Sequence, residues 1–236
     1  MSRSRMTALM LALLVAPLAV LASGCGGGGE EQTLIRAYFR AANVGDRGSL
    51  ANIAMFAWNP REQGTVSSPS VENVTEEQSR PLRIRELNTA FIEAQEAQTT
   101  FDEEKVAYQD ENFDAINRVL EAEREGDDVG RRDREVQEAW TDWRDRTMEL
   151  AKMVSDAQQE LSADNTEAFL SLADPNNPLD LTQYDGQLFT KEVQITATLE
   201  VDGAESEQQL TVVLQRAILD GGEEPIEGRW VVRSID

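Results

Sequence analysis

Leu188-Phe189-Thr190-Lys191-Glu192-Val193-Gln194-Ile195-Thr196-Ala197-Thr198-Leu199-Glu200-Val201 alternates apolar with polar side chains from Glu192 onward. Val193, Ile195, Ala197, Leu199 and Val201 share one side; Glu192, Gln194, Thr196, Thr198 and Glu200 share the other. Successive side chains of a strand point to opposite faces, so this period of two predicts a half-buried antiparallel strand. Asp202-Gly203 offers a tight reversal, after which Leu210, Val212 and Leu214 begin a returning strand. A looser connection, Asp220 to Gly228, leads to a third strand, Arg229-Trp230-Val231-Val232-Arg233-Ser234-Ile235. The C-terminal part therefore reads as an antiparallel meander.

Nearer the start, Leu34, Ile35, Tyr38, Phe39 and Ala42 recur with the spacing of an amphipathic helix over Gln32 to Asn43, closed by Val44-Gly45-Asp46. A second short helix is predicted over Gly48 to Ala57, ended by Asn59-Pro60. Thr65 to Val74 supplies one further strand. Helices followed by a meander make the fold class α+β.

Between these ends the composition changes. Glu76 to Leu172 holds 26 acids, 12 bases and one proline, Pro81, which favours long helices. Val136, Trp140, Trp143, Thr147, Leu150, Val154, Ala157 and Leu161 follow alternating steps of four and three, a heptad seam. Leu87, Phe91, Ala94, Phe101 and Tyr108 form a matching set, and Val106, Phe113, Ile116 and Leu120 look displaced from it, as a stutter would displace them. Gly126-Asp127-Asp128-Val129-Gly130 is the loop between the two halves. The short connection predicts an intramolecular antiparallel helical hairpin over residues 75–163. A homodimeric coiled coil is the other reading, should part of the seam stay exposed.

The chain of 236 residues carries 22 Lys and Arg against 44 Asp and Glu, a formal net charge of −22, with no histidine and one cysteine, Cys25. Such an acid excess is repelled by phosphate backbones and argues against nucleic-acid binding. Counting alone excludes histidine triads, zinc fingers and an internal disulfide framework. Neither Asp127-Asp128 nor Asp174-Pro175-Asn176-Asn177-Pro178-Leu179-Asp180 has EF-hand spacing, so no metal site is expected. The two prolines of the second segment predict a rigid loop.

Arg3 and Arg5, the apolar run Met6 to Leu21, and the small residues Ala22, Ser23 and Gly24 placed before Cys25 follow signal-peptide grammar over residues 1–24. The run, about 24 Å as a helix, is short for a hydrocarbon core of about 30 Å. Leu21-Ala22-Ser23-Gly24-Cys25 resembles the lipobox of bacterial lipoproteins, departing from its commonest form at Ala22. The resemblance implies cleavage before Cys25, a covalent diacylglyceryl and acyl lipid on that residue, and anchorage to a membrane. The glycine-rich stretch 25–31 would then be a flexible tether. Removing residues 1–24 takes away two arginines and no acids, so the mature chain is more negative still and would stand off anionic headgroups. Gly26, rather than aspartate, after the cysteine implies the outer membrane, facing the periplasm.

Leu34-Ile35-Arg36-Ala37-Tyr38-Phe39-Arg40-Ala41-Ala42-Asn43-Val44-Gly45-Asp46 and the ending Gly228-Arg229-Trp230-Val231-Val232 resemble the opening and close of NTF2-like domains, the α+β cone shared with SnoaL-type cyclases and ketosteroid isomerases. The resemblance implies that residues 32–74 and 164–236 form one cone and that the hairpin is inserted into it. Tyr38, five residues before Asn43, stands where ketosteroid isomerases carry an enolate-stabilising tyrosine. Glu62 falls near the position of that family's base, but within the polar run Pro60-Arg61-Glu62-Gln63-Gly64, which reads as a solvated turn. No catalytic residue and no cofactor beyond the lipid is expected. Tyr38, Trp58 and Trp230 are candidates to line a cone cavity, or plain core. The leading expectation is a non-enzymatic envelope lipoprotein whose hairpin associates with another envelope protein; the alternative is a small-molecule binder or isomerase using the cone.

Overall fold

A computed structural model describes residues 29–174 and 177–236. The signal-peptide and Cys25 expectations, most of the tether, and Pro175 and Asn176 of the expected rigid loop lie outside the described residues. The fold is α+β, with N-terminal helices, a curled antiparallel half-barrel sheet, and a long helix packed against another.

The first helix, α1 (Glu30–Val44), ends at Gly45, whose N–H bonds the Ala42 carbonyl and whose positive φ of 68° turns the Asp46 N–H back to the Ala41 carbonyl. Asp46 then caps α2 (Arg47–Ile53) by accepting from the Ser49 N–H. This helix stops four residues before the expected Ala57, because Met55 N–H bonds to the Val232 carbonyl and Ala54 bridges to Val232. Asn59 and Pro60 open a single turn, α3 (Pro60–Gln63), followed by β1 (Thr65–Val74) and β2 (Gln78–Leu82).

The hairpin comprises α4 (Ile84–Glu111), α5 (Phe113–Glu125) and, after a 3-10 turn at Arg131–Asp133, α6 (Arg134–Leu172). Its expected lower limit, 75, follows the end of β1 at Val74, and its expected upper limit, 163, falls within α6. The polar segment before it contributes β2 to the sheet, and α6 runs through residue 163 for another nine positions. Strands β3 (Gly186–Val201) and β4 (Ala204–Leu219) follow, joined at Asp202 and Gly203, both with positive φ as a tight hairpin requires. Two short strands, β5 (Ile226–Glu227) and β6 (Val231–Ile235), complete the sheet.

β3 is central. It pairs on one side with β1 and then β2, and on the other with β4, which in turn pairs with β6 and β5, all antiparallel. Because the β3/β4 ladder runs without a register shift from Gly186↔Leu219 to Val201↔Ala204, side-chain parity assigns faces along its whole length. Val193, Ile195, Ala197 and Leu199, with Val212 and Leu214, pack on Ile35, Tyr38 and Phe39 of α1. Leu188, Ala217 and Leu219 have the opposite parity and pack with Leu82, Ile84, Ala168 and Leu181. One ladder thus serves two cores, one on each face.

α1 also guards an exposed strand edge. Asn43 bonds both the N–H and the carbonyl of Val66, and Gln32 bonds the Val71 N–H and the Pro69 carbonyl, satisfying β1 groups that no neighbouring strand reaches. Between these two clamps the register shifts at Ser67/Ser70, where Ser68 has a φ of 49°, a bulge that turns the strand.

Candidate functional site

Tyr38, Trp58 and Trp230, expected as cavity lining or core, belong to one packed cluster. The Tyr38 side chain is fully buried; its hydroxyl donates to the Phe56 carbonyl at 3.0 Å and accepts from the Trp58 N–H at 2.9 Å. Burial pushes this phenol up to about 12, against the opposing Trp58 N–H. The Trp58 indole donates to the Gly64 carbonyl at 2.8 Å. Trp58 also lines an open groove of about 600 Å³ with Ala42, Asn43, Leu50 and Pro60. Glu62 lies exposed on α3.

Trp230 sits in a cluster that sequence reading missed. The Lys191 ammonium lies 3.9 Å from its ring centroid and the Arg216 guanidinium 4.8 Å from it. Lys191, only 7% exposed, pairs with Glu31 at 2.7 Å and approaches Glu77 at 3.9 Å; Arg216 reaches Glu77 at 3.4 Å. Burial works to raise the Glu31 carboxyl, but the Lys191 hydrogen bond and charge prevail and hold it below its ordinary value. A signal was present in the sequence: Lys191 has the parity of Val193 and Ile195, so it had to point inward. The cluster joins the start of α1 to the sheet and balances two cations with two carboxylates.

In the arm, α4 and α5 pack against α6 along the expected seam. Trp140 and Leu150 are buried, while Trp143 is half-buried against Phe101 and Tyr108, with ring centroids 4.8 and 5.6 Å away. The expected stutter shows in the inward line as two successive steps of four, Tyr108 to Asn112 to Ile116, but of the residues expected to be displaced into it only Ile116 is buried. From Ile84 the inward positions continue through Leu87, Phe91, Ala94, Gln98, Phe101, Lys105, Tyr108 and Asn112 to Ile116 and Val119. Two of the polar members are accommodated locally: Lys105 donates to Thr147 Oγ1 at 2.7 Å and lies over Trp140, and Asn112 donates to the Tyr108 carbonyl. The helix is interrupted at Asn112, but Asn112 N–H still bonds Tyr108 and Ile116 N–H bonds Asn112. At the tip, buried Asp133 accepts from Arg118 and Arg132; the Arg118 bond foremost holds its carboxyl down at about 2.

Residues that looked displaced form a separate line. Val106, Phe113 and Leu120 are seven apart, and Ile92 lies two such intervals before Val106; they are 54, 62, 40 and 45% exposed. At heptad spacing Ile92 and Val106 share one outward face of α4, and Phe113 and Leu120 share one of α5. The segment that carries these residues is strongly acidic: residues 84–125 hold twelve acids and four bases. Three of those bases are engaged elsewhere, Arg85 with Asp185, Lys105 with Thr147 and Arg118 with Asp133.

Among the described residues, no group of three or more Cys, Asp or Glu is arranged to hold a metal ion, and no helix is long and apolar enough to cross a membrane. Comparison of the chain with protein-family models, with curated proteins and with solved structures finds no match in any of the three.

Proposed function

We propose that the protein is a bacterial envelope lipoprotein, moored through a lipidated Cys25 at the outer membrane and facing the periplasm, whose α4/α5–α6 arm binds another envelope protein. On this reading the body is an NTF2-like cone, interrupted by the arm and serving as its platform rather than as a catalyst. The anchor is supported by the lipobox resemblance and the glycine run after it. The observation that carries the binding role is the set of exposed apolar side chains Ile92, Val106, Phe113 and Leu120 on α4 and α5, whose inner seam is already filled. Large apolar side chains kept in water at a regular interval are what a docking helix presents.

The alternative use of the cone, small-molecule binding or isomerisation, is less supported, since the Tyr38 hydroxyl is engaged by two backbone groups. Two measurements test the main reading. Metabolic labelling with an alkynyl fatty acid should mark the protein and fail to mark Cys25→Ser. A photocrosslinker at position 113 should capture one defined envelope protein in intact cells, whereas one at exposed Glu62 should not. An unlabelled wild type refutes the anchor, and identical capture from both positions refutes the arm.

A further inference from the structure

The identity of the arm's partner can be narrowed, given the reading of α4/α5–α6 as a binding arm. We propose that the face bearing Ile92, Val106, Phe113 and Leu120 receives a cationic amphipathic helix presented by another protein. The spacing points to a helix: side chains at heptad intervals along α4 and along α5 match the repeat of a second helix laid alongside, whose own apolar seam would cover them. Charge points to a cationic one. Glu93, Glu96, Asp102, Glu103 and Asp110 flank or face the same side, and none has an ion-pair partner among the described residues. A second copy of this chain docking through the same face would set those carboxylates against their equivalents. An anionic bilayer would be repelled in the same way. Lys or Arg beside the incoming seam would instead meet uncompensated acid, which gives selectivity and a fast, salt-sensitive encounter. The hydrogen bonds across Asn112 keep the two helical segments joined, so the line is not severed at the interruption.

The test uses the full lipidated chain in zwitterionic nanodiscs. Its probe is a fluorescein-labelled synthetic helix of about four heptads, with Leu at a and d and Lys at e and g. A Glu-for-Lys version is the control. The Lys helix should bind, with Kd rising at least tenfold in V106S/F113S, at least tenfold in I92S/L120S, and at least tenfold between about 0.05 and about 0.5 M salt. Both double variants replace exposed side chains, and unchanged helical circular dichroism checks that they fold. Equal binding of the Glu helix, or wild-type affinity in both folded variants, overturns the proposal. So does a homodimer in sedimentation that V106S/F113S abolishes, because the occupant is then a second copy. Failure of the Lys helix while position 113 still captures one envelope protein would overturn the cationic partner and leave the arm's role standing; loss of that capture would overturn the role itself.

Discussion

Tyr38→Phe isolates what the buried hydroxyl does. Phenylalanine keeps the ring that packs beside Phe39, centroids 5.2 Å apart, and removes only the oxygen. Two backbone groups then lose a partner: the Trp58 N–H, in a residue 7% exposed, and the Phe56 carbonyl, in a half-buried residue that water can approach. A buried polar group left without a partner costs about 1–3 kcal/mol, and the carbonyl recovers part through hydration, so the expected loss is about 2 kcal/mol. For a chain of this size that corresponds to a fall in Tm of about 4–8 °C. Urea unfolding followed by tryptophan fluorescence should show a lower midpoint at an unchanged slope. A loss below about 0.5 kcal/mol would mean that the hydroxyl does not hold the segment that leads into β1.

The same phenol predicts alkaline behaviour. Held at about 12 in the fold against an ordinary 10.0, it contributes stability that is complete below pH 10 and is lost as pH climbs from 10 to 12; ultraviolet titration should find a tyrosine ionising near 12, a step absent in Tyr38→Phe. Asp133 has the opposite sign: its carboxyl, at about 2 against 3.8, contributes stability present above about pH 4 and lost as pH falls toward 2, and Arg118→Gln should flatten that acid limb in circular dichroism. Lys191→Met should cost about 2 kcal/mol by leaving Glu31 without its cation, less than for a fully enclosed pair because the Glu31 side chain keeps some contact with water, and adding Glu31→Gln should restore at least half in thermal melts. Gly228→Ala should cost about 1–3 kcal/mol in the same melts, because a Cβ there would lie 2.1 Å from Ser171 Oγ and 2.7 Å from the Ala217 carbonyl.

Alternation from Val193 to Leu199 was enough to place the central strand, and its inward residues are buried as the period of two requires. The seam on α6 was equally readable, since Val136 to Leu161 never break step. What escaped reading did so for physical reasons. β2 is a lateral strand, Gln78-Ser79-Arg80-Pro81-Leu82, with only Leu82 buried and a proline within it, so it carries neither alternation nor β propensity. On α4 the inward line passes through Lys105 and Asn112, whose polar ends find partners on Trp140, Thr147 and Tyr108; their neighbours Val106 and Phe113, more apolar but outward, looked like the true seam. Hydrophobicity assigns a face only when the apolar residues are the buried ones. Here the exception coincides with the candidate docking line. The Lys191 cluster escaped because it is assembled from Glu31, Glu77, Lys191, Arg216 and Trp230, which only the folded sheet brings together.

The terminal turns of α6 are bolted to the sheet. Glu167 accepts from Gln215 through its carbonyl and pairs with Arg80 and Arg233 through its carboxylate, Ser171 bridges the Ala217 N–H and the Arg229 carbonyl, and Asp164 holds Arg80 and the Arg83 N–H. The other end lies about 58 Å away along an unbroken 39-residue rod. A pull at the tip therefore has no joint in α6 at which to dissipate, and its torque arrives at β4 and β6. Whatever grips the far end of this lever also strains the platform, so load on the one can be felt in the other.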